Sequence, residues 1–331
     1  MEFRTLGNSS VQVSAVTFGA WAIGGWMWGG SDRADAIQAI RASFDEGVTS
    51  IDTAPIYGQG HSEVLVGEAI KGIPRDKVQL LTKFGMRWDT RQGDFAFHTS
   101  DNDGQPLDVY KYAAKDSVIR ECEDSLRRLG TDYLDLYQIH WPDKTTPVSE
   151  TMEALEILLQ QGKIRAAGVS NYSTELLKEA GNTLVVASDQ VPYSMVERSI
   201  ETDLVPYCLE TGTSIIAYSP LQRGLLTGKI KPDHVFAPGD HRPGTLFYRP
   251  ENIRRINAFL DQIRPLAADR QATLSQLVIR WTIDRPGITV ALAGARNAAQ
   301  AIENARSAAL SLTAEEQTFL NTALSELVLE K

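Results

Sequence analysis

A parallel (β/α)₈ (TIM) barrel is the fold class this sequence predicts. The same unit recurs along the chain: an amphipathic helix, a glycine at its end, then a short apolar strand. Eight such strands can be read, at 15–18, 48–52, 78–83, 133–140, 164–170, 184–190, 214–219 and 288–293. No linker or shift in composition divides the 331 residues, so one domain over 1–331 is expected. An open doubly wound sheet is the alternative arrangement of the same alternation.

Taken in order, residues 2–14 alternate apolar and polar around Gly7, Asn8, Ser9 and Ser10, which predicts a β-hairpin able to plug one end of the barrel. After strand 15–18 comes a loop rich in glycine and tryptophan, GAWAIGGWMWGGSD. A helix then starts near Asp32, with Ile37, Ile40 and Phe44 on one face and Gly47 as its stop. Helices follow at 62–71, 116–129, 150–161, 173–180, 200–210 and about 274–284. Two additional helices are expected near the carboxyl end, at 297–306 and 313–327, the second opened by a capping box of Thr313 and Glu316. Two connections, 84–114 and 220–250, are too long for ordinary links and both follow strand ends, so they are expected to be lids over the functional face.

The net charge of −9 and pI near 5.2 argue against a nucleic-acid or anionic-membrane binder, although a local basic pocket is compatible with them. Cys122 and Cys208 lie in helical segments without CxxC or zinc spacing, so buried free thiols and a cytoplasmic location are expected. MEFRTLGNSS lacks the layout of a signal peptide, and no stretch reaches the roughly 18 apolar residues of a membrane span.

The strand ends carry the chemistry. Asp52, Lys83, His140, Ser170 with Asn171, Gln190 and Tyr218 with Ser219 stand where a barrel places its active site, and Tyr57 follows in the loop after Asp52. Strands buried on both faces are otherwise apolar, so a lysine ending LLTK and a histidine ending LYQIH need partners. The set suits proton donation to a carbonyl oxygen. Tyr57 is the expected acid, with its pKa lowered by Lys83. Asp52 keeps Lys83 ionised and aimed, and His140 orients the substrate oxygen.

The segments SIDTAPIYGQGHSE, LLTK, DYLDLYQIHWPD and IRAAGVSNYS resemble the aldo-keto reductase superfamily. The similarity continues through SIIAYSPLQRGLLTGK and ALAGARNAAQAIEN, and is strongest to bacterial NADPH-dependent reductases of the vegetative and general-stress protein branch. It implies a barrel binding NADPH/NADP+ in preference to NADH, without a Rossmann unit, and a tetrad of Asp52, Tyr57, Lys83 and His140. Cofactor contacts implied by the resemblance begin with Gly19, Trp21 and Asp52. Ser170, Asn171 and Gln190 are implied at the nicotinamide carboxamide, and Tyr218 against the ring. Ser219, Leu221, Arg223, Gly224 and Lys229 are implied at the pyrophosphate, with Arg242 as part of a belt. Gly294 is a further contact, Arg296 and Gln300 meet the 2′-phosphate, and Glu303 and Asn304 meet the adenosine. Arg296 precedes a helix start, where guanidinium and helix N-terminus together favour a phosphate. Ala20 departs from a threonine found in many relatives, which removes one polar contact near the ribose.

Trp21, Trp26, Trp28 and Trp141 are candidate walls of a substrate pocket shared with Tyr57 and His140, suited to small carbonyl compounds. Short hydroxyaldehydes such as glyceraldehyde, with polyol or glycerol oxidation in reverse, are the expected substrates, and a monomer is the expected state. The glycines of GAWAIGG form neither a dinucleotide fingerprint nor a phosphate loop. Five histidines without HxH or HxxxH spacing predict no metal site. The remaining alternative is a redox sensor or channel β-subunit-like protein that binds NADPH and turns over slowly.

Overall fold

The computed structural model describes residues 1–26, 32–236, 240 and 242–330. In chain order its strands are β1 (Phe3–Thr5), β2 (Gln12–Ser14), β3 (Val16–Gly19), β4 (Ser50–Asp52), β5 (Gln79–Phe84), β6 (Met86–Arg87), β7 (Asp94–Ser100), β8 (Pro106–Lys111), β9 (Leu136–Ile139), β10 (Ala167–Ser170), β11 (Ser188–Pro192), β12 (Ser214–Tyr218) and β13 (Ile288–Gly294). Its helices are α1 (Arg33–Asp45), α2 (His61–Ala69), α3 (Lys115–Leu129), α4 (Val148–Gln160), α5 (Thr174–Gly181), α6 (Leu204–Thr211), α7 (Pro250–Asp269), α8 (Leu274–Ile283), α9 (Ala298–Arg306) and α10 (Ala314–Ser325).

Strands β3, β4, β5, β9, β10, β11, β12 and β13 pair in parallel and close into a barrel, because β13 returns to β3 with Gly294 opposite Gly19. The eight predicted strands are these eight, five of them shorter than the apolar run that announced them. The hairpin forms as expected, with Phe3 opposite Ser14. Its Leu6, Val11 and Val13 pack upward against Leu81, Leu136, Ile216 and Val290 inside the lower mouth, so water is excluded from that end. Both cysteines are buried free thiols, and no helix among the described residues is long and apolar enough to cross a membrane.

Three expectations need correction. The helix at 298–306 is not additional: α9 packs between α8 and α1 and completes the outer ring. The additional helices are α7, which the sequence reading missed, and α10, which packs on it. Helix α7 begins with Pro250 at its first turn and buries Ile253, Ile256, Leu260 and Ile263, a helical spacing interrupted only by Pro265. The connection 84–114 is not a loop but an antiparallel sheet in the order β6, β8, β7. The helix expected at 200–210 starts as a 3₁₀ turn at Ser199–Thr202 and becomes α6 only from Leu204.

One buried carboxyl lies behind the barrel wall. Asp189 on β11 is fully buried and close enough to Tyr172 and Cys208 to raise the pKa of both. Burial pushes its own carboxyl up to about 8, against the pull of the Tyr172 backbone. Folded protein therefore holds a proton there that the unfolded chain releases near pH 4. This stabilisation is complete below about pH 4 and is lost as pH rises through about 8. Asp189→Asn keeps a neutral group of the same shape at every pH. Its melting temperature should fall less than the parent's between about pH 4 and pH 8, and equal slopes in thermal melts would show that Asp189 does not titrate this way.

Candidate active site

Each functional side chain leaves the barrel at the carboxyl end of a strand. Asp52 ends β4 and Lys83 lies one residue before the end of β5; the backbone of the pair is fixed by parallel pairing of Asp52 with Leu81. Both are fully buried. Lys83 Nζ donates to Asp52 Oδ1 at 2.6 Å, to the Thr53 carbonyl at 2.9 Å and to the Tyr57 hydroxyl at 3.3 Å. All three ammonium donors are thus used. The second Asp52 oxygen accepts the Gln190 amide at 2.8 Å, tying β11 to β4 across the barrel.

Tyr57 reaches this group from a tight loop. Pro55 O accepts the Gly60 amide at 2.6 Å, and Ser62 Oγ, which donates to Ala20 O, meets Thr53 Oγ1 at 2.9 Å. Gly58 has φ +68°, and a Cβ there would lie 2.1 Å from Gly24 O, so only glycine lets the two loops touch. The His140 ring meets Tyr57 edge-on with centroids 5.7 Å apart. Asn171, at φ +60°, donates to His140 O and to Ser170 Oγ at 3.0 Å and accepts the Tyr218 hydroxyl at 2.9 Å.

Electrostatics correct one expectation by sign. Lys83 does pull the Tyr57 phenol toward ionisation, but burial outweighs it and the phenol stands above the ordinary tyrosine value. Tyr57 therefore keeps its proton at neutral pH and can donate it. Burial opposes the Lys83 charge, yet Asp52 and Tyr57 together hold the ammonium above its usual range. Burial, with the Lys83 charge, pushes the His140 imidazole well below its ordinary pKa, so it is neutral.

Asp52, Tyr57 and His140 line a cavity of about 600 Å³. Gly19, Trp21, Trp26 and Trp141 line it, as do Ser170, Asn171, Gln190, Tyr218, Ser219, Leu221, Arg223, Gly224, Lys229, Arg242, Gly294, Arg296, Gln300, Glu303 and Asn304. Trp28 lies outside the described residues. Ser219 and Arg223 turn the backbone at φ +58° and +52°, and Arg242, paired with Asp240, donates to Arg223 O. Further along, Gln300 Oε1 accepts the Arg296 amide, Asn297 caps α9, and Asn304 donates to Gly294 O. Among the described residues Arg223, Lys229 and Arg296 have no carboxylate within ion-pair distance. A row of cations without ion pairs along one cleft of an acidic protein fits a ligand with several phosphates. No group of three His, Cys, Asp or Glu side chains able to hold a metal occurs among the described residues.

Residues 15–324 match the aldo/keto reductase family. The chain belongs to that family. Aldo-keto reductase YhdN of Bacillus subtilis is 36% identical over 99% of this chain and 95% of its own length. The NADH-specific methylglyoxal reductase of Escherichia coli is 35% identical over 95% of this chain and 96% of its own. The glycerol dehydrogenase AKR11B4 of Gluconobacter oxydans superposes with a TM-score of 0.87 at 37% identity, covering 98% of this chain and 95% of that one. The protein is thus an oxidoreductase with the family's barrel.

The reductase's cavity also has walls that the sequence reading did not name. Ile56, Met86 and Phe97 line it, the last two from β6 and β7. The alternation of DFAFHTS and PLDVYK around the turn DNDG carried this signal. Gly58→Ala should destabilise the protein by at least about 2 kcal/mol, through left-handed strain and the contact with Gly24. A melting temperature equal to the parent's would show that the two loops do not meet in solution.

Proposed function

We propose that the protein is an NADPH-dependent reductase of small aldehydes and ketones, acting reversibly, with Tyr57 as the proton donor. The observation that carries this reading is the buried ammonium of Lys83 bonded to both Asp52 and the Tyr57 hydroxyl, beside a neutral imidazole. Reduced nicotinamide supplies a hydride to the carbonyl carbon. The chain's own residues handle the proton. Neutral His140 donates to the carbonyl oxygen and holds it near Tyr57, and the Tyr57 hydroxyl passes its proton to that oxygen as charge develops there. Lys83, anchored by Asp52, stabilises the phenolate left behind, so the ammonium favours the product of the transfer more than its start. In the oxidation of an alcohol the same groups run in reverse.

Gly19, Trp21, Ser170, Asn171, Gln190 and Tyr218 would hold the nicotinamide end. Ser219, Leu221, Arg223, Gly224, Lys229 and Arg242 would hold the pyrophosphate, and Gly294, Arg296, Gln300, Glu303 and Asn304 the adenosine end. Preference for NADPH rests on Arg296, whose guanidinium precedes the start of α9 without an acidic partner among the described residues. The relatives named for methylglyoxal and glycerol support short, oxygen-rich carbonyl compounds as substrates. The apolar walls of Trp21, Trp26 and Trp141 leave Tyr57 and His140 as the polar groups that orient them.

The test is oxidation of NADPH and NADH side by side with glyceraldehyde, methylglyoxal and an aromatic aldehyde. Turnover with NADPH favoured is expected; tight NADPH binding without turnover on any of them would favour the sensor reading. Tyr57→Phe should lower kcat at least about 100-fold while leaving NADPH affinity nearly unchanged. Near-parental turnover would remove Tyr57 as the acid. Arg296→Ala should weaken NADPH about tenfold or more and NADH much less, and equal losses in titrations of both cofactors would dismiss the 2′-phosphate contact.

A further inference from the structure

We infer that the β7–β8 hairpin is a specificity-determining wall of the carbonyl pocket, and that Asn102 at its tip is the positioning residue that latches this wall to the Tyr57 loop. The inference rests on the proposed reduction of small carbonyl compounds at Tyr57.

The hairpin is built to face the pocket. Its register slips between Phe95 and Phe97, which leaves Phe95 on the outer face, 44% exposed, and turns Phe97 into the cavity. Phe97 stacks on Trp26 with centroids 6.0 Å apart and planes at 21°. Two residues on, Thr99 Oγ1 accepts the Trp26 indole N–H at 3.1 Å. Trp26 is therefore held by two side chains of β7, and its ring is fixed as pocket wall.

The tip makes the second attachment. Asp101 Oδ1 accepts the amides of Asp103 and Gln105 and so shapes the turn. The Asn102 Nδ2 donates to Gly24 O at 2.9 Å. A Cβ on Gly25 or on Gly58 would lie 2.8 Å from that same nitrogen, so the amide occupies a notch that exists because both residues are glycine. Gly24 in turn lies against Tyr57: a Cβ on it would be 2.9 Å from Tyr57 O. Asn102 does not line the cavity, and its amide bonds Gly24 rather than Asp52, Tyr57, Lys83 or His140. It bonds the backbone that backs onto Tyr57 and carries Trp26, so its loss frees both the acid's loop and the aromatic wall. A fixed wall admits short carbonyl compounds and excludes broad ones, because the stacked pair cannot part without breaking the Thr99 and Asn102 bonds.

Full-length protein, Asn102→Ala and Phe97→Ala test this by two readings. In hydrogen–deuterium exchange, segments 20–26 and 57–60 of Asn102→Ala should exchange about fivefold faster than in the parent. In NADPH-dependent assays, the ratio of kcat/KM for methylglyoxal over 4-nitrobenzaldehyde should fall about fivefold in Asn102→Ala and about tenfold in Phe97→Ala. NADPH affinity of Asn102→Ala should stay within about twofold of the parent's, a separation that general loosening would not give. Unchanged exchange in Asn102→Ala overturns the latch, and a ratio unchanged in both variants overturns the wall. If the parent oxidises NADPH with neither aldehyde, the reductase reading and the wall fall together, while exchange still decides the latch.

Discussion

The structure at the top of the barrel depends on one buried ion pair, Lys83 with Asp52. Both side chains are buried. Removing two charges from solvent is costly, and their attraction compensates only where the remaining donors and acceptors are also satisfied. Here they are: the ammonium has three oxygen partners, and the second carboxylate oxygen takes the Gln190 amide. The constraint spreads outward from that requirement. It sets the register of β4 on β5, draws β11 across the barrel, and places the Tyr57 hydroxyl on the one remaining ammonium proton.

That local geometry also decides the acid–base character of the site. A phenol near an ammonium is pulled toward ionisation, and a phenol out of water is pushed the other way; burial wins at Tyr57. The consequence is a hydroxyl that retains its proton at neutral pH yet leaves a phenolate facing a positive charge once it has given the proton away. His140 is kept neutral by burial and by the Lys83 charge acting together, so it adds no competing cation. Along the cleft the logic reverses, because Arg223, Lys229 and Arg296 form no ion pair among the described residues in a protein of net charge −9. The chain neutralises its buried Lys83 internally, while the cleft cations Arg223, Lys229 and Arg296 carry no ion pair among the described residues.

The long connections divide this labour. Segment 84–114 folds into a sheet whose Met86 and Phe97 line the cavity, and left-handed turns at Gln222, Arg223 and Gly224 begin the second connection, from which Arg223 and Arg242 line the cleft. The first was expected as a lid, but backbone pairing from Met86–Lys111 to Ser100–Pro106 makes it a wall.

The sequence by itself determined the barrel, the hairpin plug and the place of Asp52, Lys83, His140, Asn171, Gln190 and Tyr218. Parallel strands are so uniformly apolar that a charged or polar residue at the end of six of the eight stands out, and the topology sends every strand end to the same face. Helix α7 was as periodic as the others, but residues 251–273 were assigned to no element, because no strand follows the helix directly. Only the tertiary structure decided that α9 closes the ring, since its position depends on α1, more than 250 residues earlier. Likewise the state of Tyr57 could not be read from its neighbours in the chain. Which residues approach it is written in the strand order, but how far water is excluded from it depends on the packing of every loop around it.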